Sequence, residues 1–292
     1  KNFDIDKQAE EVNIVKRFES GMVINPYTIS PKNLLSDALE IKEKYNISGI
    51  PVVEERNQKL VGILTNRDIR FATNQKQKVE SLMTKDNLVT VNQNISIIEA
   101  KKLLHKHRIE KLLVVDKDYR CIGLITVKDI EKAKKFPHAT KDKMGRLLVS
   151  GAVGVGPIQG VERAKALVKA GADIIVIDTA HGHTKNVLET LKEIKKNHSK
   201  IPVVVGNVAT ADAASDLIKN GADSIKVGIG PGSICTTRIV AGIGVPQLHA
   251  ISETYRIAKK NKIPIISDGG IKFSGDIAKA IGFGADVVMI GS

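Results

Sequence analysis
The stretch KVGIGPGSICTTR, residues 226–238, sets Cys235 behind a run of glycines and ahead of two threonines and an arginine. Glycines admit positive φ and let backbone groups approach a ligand closely. Such a loop can hold an anion through N–H groups or a monovalent cation through carbonyls. A cysteine attacks only as thiolate, and its ordinary pKa of about 8.5 requires a local field or a substrate that takes the proton. The plain alternative is a small buried hydrophobe, the usual fate of a free cysteine. A glycine-rich turn directly after an apolar strand is a poor place for that, so Cys235 reads as a nucleophile. The second cysteine, Cys121, sits inside a strand pattern and fits the buried role.

Residues 147–292 supply the elements that would hold such a loop. Short apolar strands read at LLVSGAV (147–153), IIVID (174–178), PVVVG (202–206), SIKVG (224–228), PIISD (264–268) and VVMIG (287–291), with amphipathic helices between them. The tripeptide GAD recurs at 171–173, 221–223 and 284–286, where Gly closes a helix just before the next strand. Continuous apolar strands alternating with helices predict a parallel sheet buried on both faces. Every strand ends in a polar or glycine-rich turn: DTAHGH, GNVAT, GIGPGS, SDGG, IGS. Such turns converge on one face of a (β/α)8 TIM barrel, whereas an open doubly wound sheet uses mainly its switch point. The barrel is the expected fold, with six of its eight strands present.

Residues 24–138 follow another plan. SGIPVVEERNQKLVGILTNRDI (48–69) and IEKLLVVDKDYRCIGLITVKDI (109–130) repeat about 61 residues apart, each preceded by a helix pattern. This paired β-α-β-β-α unit resembles a tandem CBS (Bateman) module, with Thr65–Asp68 and Thr126–Asp129 matching its T-x-x-D signature. A threonine and backbone amides at a helix start suit a phosphate, and the carboxylates suit ribose hydroxyls. The alternative is a threonine N-cap with an acidic first turn; two copies in register favour purine nucleotides. Before the repeat, Ile5, Ala9, Val12 and Val15 share one face of a helix at 5–17. The expected division is a barrel segment at 1–22, the CBS pair at 23–138 (about 23–80 and 84–138), and the catalytic barrel at 139–292. The chain begins without Met and stops inside a strand, and so reads as a fragment.

The segment GPGSICTTR, followed by VAGIGVPQL, resembles the catalytic cysteine loop of the inosine-5′-monophosphate (IMP) dehydrogenase family. VIDTAHGH, GNVAT and SDGGI stand in that family's order, and the likeness spans the chain. GMP reductase shares the cysteine loop; the inserted repeat favours the dehydrogenase. The resemblance implies NAD-dependent oxidation of IMP to XMP, the committed step of guanine nucleotide synthesis. Cys235 would attack C2 of the base, with Thr237 handling a proton beside it. Carbonyls of Gly230, Gly232 and Cys235 match a potassium site. Asp268 matches the ribose carboxylate, an acceptor-only group for vicinal hydroxyls, although a strand-end Asp also caps turns. Ser233, Gly269, Gly270, Gly291 and Ser292 match the phosphate site. Asp178 matches the carboxylate on the NAD ribose, Asn207 faces the nicotinamide, and Gly228, Ile229 and Gly230 border the dinucleotide. The resemblance also implies a homotetramer or larger assembly, regulated by nucleotides at the CBS pair. A non-catalytic nucleotide sensor is the rival of a different class, and a reactive thiol argues against it.

Composition narrows the rest. A net charge of +13 over 292 residues invites a nucleic-acid reading, but the excess is lysine scattered along helices and aromatics are 3%. Clustered charge or stacking rings are missing, so no nucleic-acid partner is expected. No apolar run is long enough to span a bilayer, no signal peptide is visible, and two cysteines give no disulfide framework. A reducing cytoplasm is the expected compartment. His181 and His183 form an H-x-H without a clear third ligand, a weak zinc pattern better read as a polar wall of the cofactor pocket.

Overall fold
The computed structural model describes residues 2–19 and 22–291. The chain divides into two compact units, residues 1–13 with 148–292, and residues 14–147.

The first unit is built on a six-stranded parallel sheet in consecutive order. Its strands are β1 (Ser150–Val153), β2 (Ile174–Asp178), β3 (Val203–Val208), β4 (Ser224–Val227), β5 (Ile265–Asp268) and β6 (Val287–Met289). All six fall on the expected apolar runs, with ends shifted by up to three residues. Among the described residues the sheet does not close on itself: β1 and β6 are its edges. What is seen is therefore a half-barrel sheet of the α/β class.

Alternation along the strands sorts the two faces. Ile175, Ile177, Val203, Val205, Ile225, Val227 and Ile265 are fully buried. They form one core with Leu191, Ile194, Leu217 and Ile251 from the covering helices. The opposite face carries Asp178, Gly206, Lys226 and Asp268 near the strand ends.

The GAD tripeptides do more than end helices. Gly171, Gly221 and Gly284 adopt φ of 97°, 94° and 116°, conformations open to glycine at little cost. The aspartates then tie neighbouring strands: Asp173 Oδ2 accepts from Val149 N at 2.7 Å, Asp223 Oδ2 from Val203 N at 2.7 Å, and Asp286 Oδ2 from Ile265 N at 2.8 Å. Each satisfies a backbone donor at a strand entry that the ladder leaves open.

Helix Ile5–Lys16 contributes its residues up to Asn13 to this unit. Arg163, 3% exposed, donates to Phe3 O at 2.9 Å and Gln8 Oε1 at 2.6 Å, and Gln8 Nε2 reaches Ala152 O at 2.9 Å. Of the four residues expected on one apolar face, only Val12 is fully covered. The division into units falls at 13/14 and 147/148, outside the expected limits of 22 and 138. Residues 141–147 fold back on the second unit, where Lys16 Nζ donates to Asp142 Oδ2 at 3.2 Å and Leu147 O at 2.9 Å.

The second unit shows the duplication unequally. The later copy has the full β-α-β-β-α order: Thr90–Asn92, Ile97–His107, Lys111–Val115, Cys121–Thr126 and Val127–Lys135. In the earlier copy the first strand shrinks to one bridge, Ile29 to Val52, and the last helix to Asn66–Ile69. Its hairpin Gly49–Val53/Leu60–Thr65 stands as a separate two-stranded sheet. No helix among the described residues is long and apolar enough to cross a membrane.

Candidate active site
The centre of the first unit is a lysine. Lys226 is the next-to-last residue of β4 and is 3% exposed. The ladder pairs Gly206 with Asp178 on one side and with Lys226 on the other, so all three occupy one level of the sheet. A Cβ at Gly206 would lie 2.6 Å from that of Lys226 and 2.5 Å from its carbonyl oxygen. Glycine leaves the gap through which the lysine reaches across β3. Its Nζ bonds Asp178 Oδ1 at 3.0 Å, and also Asn207 Oδ1 and Asp268 Oδ2. Asn207 Nδ2 completes the network, donating to Asp268 Oδ2 at 3.0 Å and to Gly228 O at 2.8 Å. A buried ammonium is tolerable only with partners, and here the partners are three residues singled out for ligand binding. Sequence reading missed Lys226, although a lysine inside an otherwise apolar parallel strand is itself the signal.

The cysteine loop leaves β4 at Gly228, whose φ is 147°. Cys235 N donates to Gly232 O at 3.1 Å, closing a turn that presents the thiol. Cys235 Sγ lies 3.2 Å from Thr237 Oγ1, in hydrogen-bond contact. The Thr237 hydroxyl, then its backbone N–H, hold the thiol pKa below the ordinary value, with a smaller contribution from the Arg238 charge. Arg238 packs its stem over Gly230 and Gly244 and donates to Val245 O at 3.1 Å, so it clasps the loop. Cys121 behaves oppositely: burial pushes its thiol up to about 11, as its strand position predicts.

Around the same strand ends, Gly269 and Gly270 take φ of 93° and 80° beside Pro231 and Gly232. The structure therefore brings together Asp178, Asn207, Gly228, Asp268 and the β5 glycines. Ser233 and Gly291 are exposed, and Ser292 lies outside the described residues. His183 Nε2 pairs with Asp216 Oδ2 at 2.9 Å. No group of three metal-ligating side chains occurs among the described residues. The cysteine loop instead offers backbone carbonyls at Gly230, Gly232 and Cys235, a donor type suited to a hard cation. That of Gly232 already accepts one amide, and a carbonyl oxygen has a second lone pair.

In the second unit, the T-x-x-D residues are cap and cleft wall at once. Thr65 N and Oγ1 each reach Asp68 Oδ2 at 2.6 Å, and Thr84 Oγ1 donates to Asp68 Oδ1 at 3.0 Å. Thr126 Oγ1 donates to Asp129 Oδ2 at 2.7 Å. One cleft joins Thr65 and Asp68 with Arg67, Arg70 and Lys111; another joins Thr126 and Asp129 with Lys128, Lys132 and Gly49. Each thus combines the signature of one copy with a strand entry of the other.

Comparison with known proteins adds the family. The model of the IMP dehydrogenase / GMP reductase domain matches residues 1–292. The chain is 55% identical over 294 residues to inosine-5′-monophosphate dehydrogenase of Aquifex aeolicus (strain VF5), covering all of this chain and 60% of that protein. It is 57% identical over 287 residues to the enzyme of the same name from Rhizobium tropici, covering 98% of this chain and 57% of that one. The chain thus spans about 60% of the length of the curated relatives it matches. A crystal structure of GMP reductase from Trypanosoma brucei in complex with guanosine 5′-triphosphate aligns with a TM-score of 0.85 at 40% identity, covering 100% of this chain and 70% of that one. With a family model matched from end to end and relatives more than half identical along it, the chain belongs to the IMP dehydrogenase / GMP reductase family.

Proposed function
We propose that the protein oxidises IMP to XMP with NAD through a covalent intermediate on Cys235. The observation that carries the reading is the Cys235 thiol, acidified by Thr237 on the loop that leaves β4, the strand whose Lys226 organises Asp178 and Asp268. The Cys235 thiolate adds to C2 of the hypoxanthine ring. Bound NAD supplies the acceptor for the hydride that leaves C2. The thioimidate left on Cys235 is hydrolysed by water, releasing XMP, the thiolate and a proton; Thr237 passes protons beside the sulfur.

Asp268 holds the IMP ribose. Its contacts with Lys226 and Asn207 both fall on Oδ2, which leaves Oδ1 for the vicinal hydroxyls. Gly269, Gly270, Gly291, Ser292 and Ser233 hold the phosphate through backbone amides and a hydroxyl. Asp178 would receive the NAD ribose, with Asn207 facing the nicotinamide and Gly228, Ile229 and Gly230 bordering the dinucleotide. Carbonyls of Gly230, Gly232 and Cys235 would hold potassium and shape the loop. Residues 23–138 act as a CBS pair that binds purine nucleotides at Thr65/Asp68 and Thr126/Asp129 and regulates the barrel. The working form is a cytoplasmic homotetramer whose sheet closes as a (β/α)8 barrel.

Incubation with IMP and NAD, followed by mass spectrometry of the peptide containing 226–238, tests the chemistry. A nucleotide adduct on Cys235 with NADH formation is expected; an adduct elsewhere, or an active Cys235→Ser variant, overturns it. The second reading, reductive deamination of GMP with NADPH, draws on the likeness to GMP reductase structures. The higher identity to IMP dehydrogenases favours the oxidation, and NADPH consumption with GMP would decide for the reductase.

A further inference from the structure
Gln247 opens helix Gln247–Lys260, where an ordinary first-turn glutamine would face solvent. Instead its Nε2 donates to Val227 O at 2.9 Å and Ser267 Oγ at 3.0 Å, with Asp268 O at 3.5 Å. Val227 and Ser267 are a cross-strand pair where the β4–β5 ladder ends. The amide therefore bridges the seam between the strand that starts the cysteine loop and the strand that ends in Asp268. It also packs on Gly228: a Cβ there would lie 3.0 Å from Gln247 Oε1, 3.2 Å from Nε2 and 2.2 Å from Asp268 O. The root of the loop is held between the amide of one residue and the carbonyl of another.

The orientation of this amide is determined by its neighbours. Carbonyl oxygens can only accept, so the NH2 must face Val227 O and Asp268 O. Oε1 then lies on the other side, buried against Gly228, and is the buried side-chain polar atom without a hydrogen-bond partner among the described residues. Such an acceptor is costly to keep, and it is kept at the hinge between thiol and carboxylate.

We infer that Gln247 is a positioning residue, setting the root of the cysteine loop against Asp268 so that thiol and ribose site act on one substrate. This rests on the proposed chemistry at Cys235. A loosened root misplaces the sulfur from C2 without removing any group that touches substrate, and misplacement of about 1 Å costs up to roughly a hundredfold in rate.

The test compares wild type, Gln247→Met, Gln247→Glu and Thr254→Val by the rate of Cys235 adduct formation with IMP and NAD, by IMP affinity and by thermal stability. Thr254 is buried on the same helix and bonds only that helix's carbonyls. Gln247→Met should slow adduct formation about tenfold to a hundredfold while IMP affinity changes less than about threefold, a rate loss without a binding loss. Gln247→Glu should recover relative to wild type as the pH falls, because only the protonated carboxyl can donate to Val227 O. Thr254→Val should lose thermal stability with an unchanged adduct rate. Wild-type adduct formation matched by Gln247→Met overturns the inference, as does a rate ratio for Gln247→Glu that is flat with pH. Failure of wild type to form any adduct instead overturns the reading of Cys235.

Discussion
Lys226 Nζ lies 3.0 Å from Asp178 Oδ1 while the same ammonium bonds Asp268, so one buried cation holds two strand-end carboxylates from β2 and β5. Removing it leaves both carboxylates facing a site without a counter-charge. Lys226→Met should destabilise the first unit by about 2–3 kcal/mol. That is below the roughly 3–5 typical of a broken buried pair, because the side chains of Asp178 and Asp268 retain 36% and 24% exposure. The double variant with Asp268→Asn should regain part of the loss. Denaturant midpoints measure both, and a stable Lys226→Met variant would show the network to be ornamental.

Cys235 and Cys121 provide an internal comparison of thiol environments. Thr237 holds the Cys235 pKa low, whereas burial raises Cys121 to about 11. Because thiolate is the alkylated form, iodoacetamide near neutral pH should label Cys235 and spare Cys121. Thr237→Val should move the labelling midpoint of Cys235 upward and slow the reaction near neutral pH. Peptide mapping against pH reads both effects; an unchanged midpoint would remove Thr237 from the account.

The strands, the glycine turns and the duplicated unit were legible in sequence because each rests on local rules: apolar runs, positive-φ glycines, a repeated pattern. Cys235 stood out for the same reason, through its place on a strand-end loop. Lys226 and Gln247 were not legible, since their roles depend on who faces them across the sheet. Nothing near Lys226 in sequence names Asp178 and Asp268 as its partners. The aspartates of GAD were hidden likewise: the glycine is a local signal, the bond from Asp223 to Val203 N a tertiary one. Lys16 likewise finds Asp142 from 126 residues away, a contact that composition does not announce.

His183 and Asp216 carry a pH-dependent tie between the loop after β2 and helix Ala211–Lys219. The hydrogen bond from His183 is the largest cause holding the Asp216 carboxyl below its usual range. A carboxylate depressed on folding adds stability above its unfolded pKa, and that stability is lost as pH falls through the folded value. His183→Ala should therefore raise the Asp216 titration midpoint and move the acid limb of unfolding to slightly higher pH. The effect on neutral-pH stability should be small, because the pair is partly open to solvent. Carboxyl carbon NMR follows Asp216 directly, and a midpoint indifferent to His183→Ala would refute the tie.

Asp68 and Asp129 test whether the clefts of the second unit take nucleotides or whether their T-x-x-D residues merely cap helices. If each carboxylate receives ribose hydroxyls, Asp68→Ala and Asp129→Ala should each weaken purine nucleotide binding by on the order of 1.5–3 kcal/mol. Alanine also removes the acceptor that Thr65 and Thr84 use, so Asp68→Asn is the discriminating change: it keeps an acceptor oxygen and loses the charge. A nucleotide role requires Asp68→Asn to weaken binding as well, whereas a capping role predicts wild-type affinity. Asp129 adds a second sign. Burial raises its pKa, so its charged form costs stability above that value and the cost falls away as pH drops through it. Asp129→Asn should leave the unit as stable or more stable near neutral pH while weakening ATP and GTP binding. Calorimetry with each nucleotide, paired with thermal unfolding of the same variants, reads the two effects separately. A variant that loses stability and keeps its affinity would make these aspartates structural and take them out of nucleotide binding.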